Sequence, residues 1–194
     1  MKHIGLFCGS FNPVHIGHTT LAQTILNKSA LDEIWFVVSP QNPLKQKSQL
    51  ASEQDRLMMV NLALRNCNNM HSCDVEFSLP KPSFTANTLR HLSQLYPDYA
   101  FTLIIGSDNL QVFNLWRQYD FILNNYHIIV YPRQGDNLQQ LLELYPQVSG
   151  IEAPLLPVSS TRIRALFKAN AESTEAKQWL EKSVWEYITR NRIY

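Results

Sequence analysis

Cysteine, surplus charge and long apolar runs are all scarce in this sequence, and each scarcity excludes something. Cysteine occurs at Cys8, Cys67 and Cys73 only. No two of them form a metal-ligand pair, and an odd number argues against a disulfide framework, so a reducing, cytoplasmic setting is expected. Lys and Arg total 17 against 16 Asp and Glu, a net charge of +1. Such a chain carries no broad field for a nucleic-acid backbone or an anionic membrane, and neither is an expected partner. The first apolar run, Ile4 to Cys8, is too short for a signal peptide, and no run approaches membrane-spanning length. Repeats and low-complexity segments are likewise lacking.

What is present reads as an ordinary globular chain. Its 194 residues and 22.4 kDa suit a single domain over 1–194. Short apolar runs rich in β-branched and aromatic residues, at 3–10, 33–40, 101–108 and 126–133, predict buried strands. A weaker alternating run at 73–79 predicts an edge or crossover strand. Helical spacing recurs at 16–29, 52–66 and 85–97, in shorter pieces around 108–123 and 137–145, and at 160–169 and 174–190. Strands alternating with helices predict an α/β fold: a Rossmann-like, doubly wound parallel sheet with helices on both faces and a small C-terminal helical part. In such sheets ligands bind beyond the carboxyl ends of the strands.

The informative residues follow strands, as that rule requires. In "GSFNPVHIGH" (9–18) a strand gives way to Gly9-Ser10, a break at Pro13 and a helix start near His15. His15 and His18 are three apart, so one helical turn places them on one face, where two imidazoles can donate to phosphate oxygens. A helix N-terminus adds unpaired N–H groups and a positive dipole end. Gly9 permits close backbone approach, and Gly17 keeps the first turn free of bulk. A second stretch, "PVSSTRIRALF" (157–167), places Ser159, Ser160 and Thr161 before an apolar-periodic run. By itself it is equally a well-capped helix with Arg162 and Arg164 solvated, or a second anion site of hydroxyls, N–H groups and two guanidiniums.

"GSFNPVHIGH" matches the G-x-F-x-P-x-H-x-G-H pattern of the nucleotidyltransferase superfamily at every fixed position, and "SSTRIR" matches its S-x-T-x-I-R motif. With the chain length, these resemble the nicotinate-nucleotide adenylyltransferases, which join ATP to a pyridine mononucleotide in NAD synthesis. The resemblance covers nearly the whole chain. It implies that His15, His18, Lys45 and Arg164 stabilise phosphates, and that Gly9, Ser10, Phe11, Gly17, Ser160 and Thr161 bind ATP. "SPQNPLK" (39–45) is similar to the family segment whose Lys reaches the triphosphate, with Leu44 where the family often has His. "PSFTANTL" (82–89) is similar to S-Y-T-x-D-T-L, with Phe84 for Tyr and Asn87 for Asp. It retains Thr85 and Thr88 beside the implied pyridine-nucleotide site. "IIGSDN" (104–109) supplies Gly106 and Asp108, the latter implied at ribose hydroxyls. Trp116 holds the position of an aromatic that stacks on the pyridine ring, and Arg133 that of an Arg near the nucleotide.

The implied reaction is attack by the 5′-phosphate of nicotinate mononucleotide on the α-phosphorus of ATP, with release of pyrophosphate. The implied partners are these two small molecules, with Mg²⁺ carried by ATP and no metal held by the protein. A homo-oligomer is compatible with the sequence. The letters HIGH at 15–18 also occur in aminoacyl-tRNA synthetases. That reading predicts a K-M-S-K-S signature, an anticodon-binding extension and a basic face, and the sequence offers none. A nicotinamide-preferring or phosphopantetheine-type nucleotidyltransferase is a closer alternative. A regulatory nucleotide-binding domain without turnover is the non-enzymatic one.

Overall fold

The computed structural model describes residues 1–40 and 50–194. The chain runs β1 (Lys2–Gly9), α1 (Ile16–Lys28), β2 (Glu33–Val38), α2 (Glu53–Leu64), β3 (Met70–Cys73), α3 (Thr85–Leu95) and β4 (Tyr99–Gly106). It continues through α4 (Ser107–Gln111), α5 (Tyr119–Asn125), β5 (His127–Tyr131), α6 (Leu138–Leu144) and β6 (Ser149–Gly150) to α7 (Ser160–Ala169), α8 (Thr174–Lys177) and α9 (Lys182–Asn191). The six strands form one sheet in the order β3-β2-β1-β4-β5-β6, with parallel pairing throughout. This is the doubly wound Rossmann-like arrangement that the strand–helix alternation predicts. The order reverses at β1, which lies between β2 and β4 and so places a crevice beyond its carboxyl end.

Alternate residues of each strand feed separate cores on the two faces, because successive side chains point opposite ways. One core joins Phe7, Phe36, Val38 and Ile104 to Ile25 of α1, Met59 and Val60 of α2, and Ile163, Phe167, Val184 and Ile188 of the C-terminal helices. The other joins Ile4, Leu6, Val37 and Leu103 to Leu89 and Leu92 of α3 and Ile122 of α5. Side chains such as Leu6, Phe36 and Leu103 are wholly buried, each contributing about 1.5–3 kcal/mol by removal from water. Ser52 and Ser159 cap α2 and α7 by accepting from the N–H groups of Asp55 and Arg162. Among the described residues no helix is long and apolar enough to cross a membrane.

Three elements depart from the expected ones. The strand sought at 73–79 lies earlier, at Met70–Cys73, and Val75–Phe77 form a short 3-10 turn. That turn carries Glu76 into the interior, where it is 3% exposed and accepts from the hydroxyls of Ser83 and Thr88. The helix expected over 174–190 breaks into α8 and α9, because the Trp179 carbonyl accepts from the Ile16 N–H at 3.0 Å instead of continuing the helical ladder. β6 was not anticipated. It is a two-residue edge strand held by its pairing with Ile129 and Val130.

Candidate active site

A cleft of about 640 Å³ opens at the switch point, lined from β1 and its following loop, from α4, from the end of β5 and from the start of α7. His15 stands at its base as the N-cap of α1, in extended backbone conformation. Its N–H donates to Nδ1 of His18 at 3.2 Å, so Nε2 is the His18 ring nitrogen that carries the proton. The two rings stack with centroids 3.7 Å apart. Phe11, at a left-handed φ of 43°, is buried and meets His18 edge-on at 5.2 Å. A non-glycine residue in that region is strained by roughly 1–3 kcal/mol and persists only where packing enforces it. Here the packing is the aromatic contact with Phe7 and Phe36.

His15 is 8% exposed, and its side chain faces the His18 N–H in a reciprocal capping box. Burial foremost, and then the charge of Arg133, lower its pKa to about 4. His15 is therefore neutral at pH 7, and an incoming anion opposes the Arg133 contribution to this shift. Gly17 has a steric reason. A Cβ there would lie 2.9 Å from both Nδ1 of His15 and Cγ1 of Val158. Of the N–H groups at the start of α1, that of Ile16 goes to the Trp179 carbonyl, and that of His15, just before the helix, goes to His18.

α7 forms the opposite wall. The Ser160 hydroxyl donates to the Pro13 carbonyl at 2.9 Å, tying this helix to the His15 loop. Arg164 donates to the Asn12 carbonyl at 2.8 Å, with its other nitrogen 3.4 Å from the Thr161 hydroxyl. The two guanidiniums expected together are separated, because Arg162 pairs with Glu175 at 2.5 Å and only Arg164 lines the cleft. On the third side Arg133 Nε lies 3.6 Å from the Asp108 carboxylate. A Cβ on Gly106 would collide with that carboxylate and meet Arg133 Nε at 3.0 Å. Ser107 fixes the pair: it accepts from the Arg133 N–H at 2.8 Å and donates to Asp136 at 2.6 Å.

The cleft thus gathers Gly9, Ser10, Phe11, His15, His18, Asp108, Arg133, Ser160, Thr161 and Arg164. Thr85, Thr88 and Trp116 stand outside its lining. Thr88 is fully buried with its hydroxyl on Glu76, Thr85 opens α3, and Trp116 is half-buried against Phe113 at 5.2 Å. Lys45 and Leu44 lie outside the described residues. Sequence reasoning missed Asn12, whose side-chain oxygen accepts from the Ala51 N–H and the Tyr194 hydroxyl. It also missed Arg56, whose guanidinium reaches the Ser10 carbonyl. One signal for Arg56 existed: it shares a helical face with Met59, Val60 and Ala63, an odd place for a cation unless it has buried acceptors.

A crevice at the switch point of a doubly wound sheet, walled by two imidazoles and two guanidiniums, suits a nucleotide's phosphates and defines a nucleotidyltransferase-type site. The family model described as cytidylyltransferase-like matches residues 6–166. The probable nicotinate-nucleotide adenylyltransferase of Flavobacterium johnsoniae is 44% identical across 98% of this chain and 98% of its own. That of Cytophaga hutchinsonii is 44% identical across 98% of this chain and 97% of its own. The chain belongs to the cytidylyltransferase-like family and, within it, to the nicotinate-nucleotide adenylyltransferases. Its fold is that of the Plasmodium falciparum nicotinic acid mononucleotide adenylyltransferase complexed with NaAD. The TM-score is 0.85 at 22% identity, covering 100% of this chain and 98% of that one.

Proposed function

We propose that this chain transfers the adenylyl group of ATP to nicotinate mononucleotide, forming deamido-NAD and pyrophosphate in NAD synthesis in the cytoplasm. The observation that carries the reading is the convergence of His15, His18, Arg133 and Arg164 on one cleft at the switch point. An acceptor 5′-phosphate is already an anion at neutral pH, so its oxygen attacks the α-phosphorus without a general base. The bond from that phosphorus to the bridging oxygen breaks, and the charge moves onto pyrophosphate. Catalysis then consists of holding two polyanions in line and neutralising the leaving group.

The roles follow from the donors. His18 offers its Nε2 proton to the phosphates and His15 a neutral imidazole, while Arg164 supplies a permanent charge from the α7 side. Lys45 is assigned to the triphosphate by family resemblance. Gly9, Ser10, Phe11 and Gly17 shape the floor, and Ser160 and Thr161 shape the wall. Asp108 faces the ribose hydroxyls, with Gly106 allowing its approach and Arg133 beside the nucleotide. Thr85, Thr88 and Trp116 are assigned to the pyridine-nucleotide side. A divalent cation, proposed as Mg²⁺, would arrive on the triphosphate and neutralise its oxygens. The cleft's donors are imidazole, guanidinium and hydroxyl groups, and its carboxylate, Asp108, already faces Arg133, which fits a cation held by phosphate and water.

Pyrophosphate release and dinucleotide formation, measured with ATP against nicotinate and nicotinamide mononucleotides in parallel, test the reading. Turnover with nicotinate mononucleotide at a higher kcat/KM is expected. A reversed preference would move the chain to the nicotinamide branch, and no turnover with either would remove the enzymatic reading.

A further inference from the structure

Arg56 is the bulkiest side chain that the fold buries completely, at 1% exposure. Its Nε donates to the Ala51 carbonyl at 3.1 Å. Nη1 donates to the carbonyls of Ser10 at 2.8 Å and Ser39 at 2.6 Å, and Nη2 to that of Pro40 at 3.0 Å. All four acceptors are backbone carbonyls, and among the described residues no carboxylate comes within ion-pair distance of it. Burial lowers its pKa, yet a guanidinium keeps its charge in proteins. The result is a buried cation whose hydrogen bonds go to backbone carbonyls, with the charge of Glu53 acting on it through space.

Apolar packing does not account for it. Burying a charge without a counter-ion carries a penalty of several kcal/mol. Beside Met59 and Val60 an apolar residue would fill the same stripe without that penalty, but it would leave the carbonyls of Ser10, Ser39, Pro40 and Ala51 without this donor, so the guanidinium is there to hold those carbonyls. The four carbonyls come from the loop after β1, the end of β2 and the start of α2. The Ala51 N–H returns to the Asn12 side chain at 3.0 Å, so two contacts join the start of α2 to the loop that carries His15.

We propose that Arg56 is a positioning residue for polyphosphate binding: it turns the Ser10 carbonyl inward, away from the cleft, and holds the 9–15 loop in an anion-accepting conformation. A carbonyl oxygen facing a phosphate repels it, whereas one bound to a buried guanidinium is withdrawn. The positive charge behind the loop adds attraction for the anion. This inference rests on the reading that the cleft takes a triphosphate.

The test compares full-length wild type with Arg56→Lys, which keeps the charge but not the fork, and Arg56→Gln, which removes the charge. ATP binding with magnesium is measured by calorimetry, and KM for each substrate by pyrophosphate release, at a temperature where melting curves show all three folded. Both variants are expected to weaken ATP binding at least tenfold, Gln more than Lys, while KM for nicotinate mononucleotide moves less than threefold. Folded variants with ATP affinity within twofold of wild type overturn the proposal, as does an equal rise in both KM values, which marks general loosening. Wild type that binds ATP without turnover would sink the proposed reaction, and the calorimetric comparison would still decide the role of Arg56.

Discussion

Acidification isolates His15 from the rest of the molecule. Its folded pKa of about 4 lies below the usual imidazole value of 6.5 because burial, and secondarily Arg133, disfavour the charged ring. The unfolded chain therefore binds a proton first as pH falls. The stability contributed by a neutral His15 is complete above pH 6.5, declines through the interval, and is lost as pH falls through about 4. A separation of about 2.5 pH units corresponds to about 3 kcal/mol at 1.36 kcal/mol per unit. Denaturant unfolding of wild type and His15→Gln at pH 7, 6, 5 and 4 reads this difference directly, because other titrating groups are common to both. Wild type should lose about 3 kcal/mol more than the variant between pH 7 and pH 4. Parallel stability curves, or a His15 resonance titrating near 6.5, would refute the burial argument. Pyrophosphate supplies a negative charge beside the ring, so its binding near pH 5 should be accompanied by proton uptake.

Other parts of the site carry their own expectations. His18→Ala removes a donor that faces the cleft, and kcat should fall about 10²- to 10³-fold while the melting curve moves little. Near-normal turnover by the folded variant would sink that assignment. Gly17→Ala places a methyl 2.9 Å from His15 and Val158. It should cost about 1–3 kcal/mol by overpacking and reduce kcat/KM for ATP, as read by melting and steady-state kinetics. Thr88→Val keeps shape but strips one donor from the buried Glu76 carboxylate. Denaturant unfolding should show a loss of about 1–3 kcal/mol, and an unchanged midpoint would contradict the hydrogen-bond assignment.

How far the sequence speaks depends on whether a signal is local. β1, β2, β4 and β5 are covered by helices on both faces, so each reads as an apolar run. β3 is at an edge with only Met70 buried, and β6 is two residues long, so neither leaves an apolar trace. The alternation at 73–79 imitated a strand because Val75 and Phe77 pack on either side of a turn that carries Glu76 inward. His15, His18, Ser160 and Arg164 were legible because each motif sits within one strand end or one helix start. The tie between those motifs was not, since Ser160 meets Pro13 and Arg164 meets Asn12 across about 150 residues. Arg56 was still less visible, because its partners are carbonyls, and backbone acceptors have no letter. The helix break after α8 follows from a tertiary contact with Ile16 that residues 174–190 cannot reveal.

In the proposed reaction this cleft passes the adenylyl group straight from ATP to the acceptor phosphate, with the histidines stabilising charge and not forming a bond to phosphorus. The stereochemical course at the α-phosphorus tests it most directly, using ATP made chiral there by sulfur substitution, with nicotinate mononucleotide as acceptor. A single in-line displacement inverts the configuration in the dinucleotide product, and inversion is the predicted result. Retention would mean two displacements through an adenylylated side chain and would contradict the account.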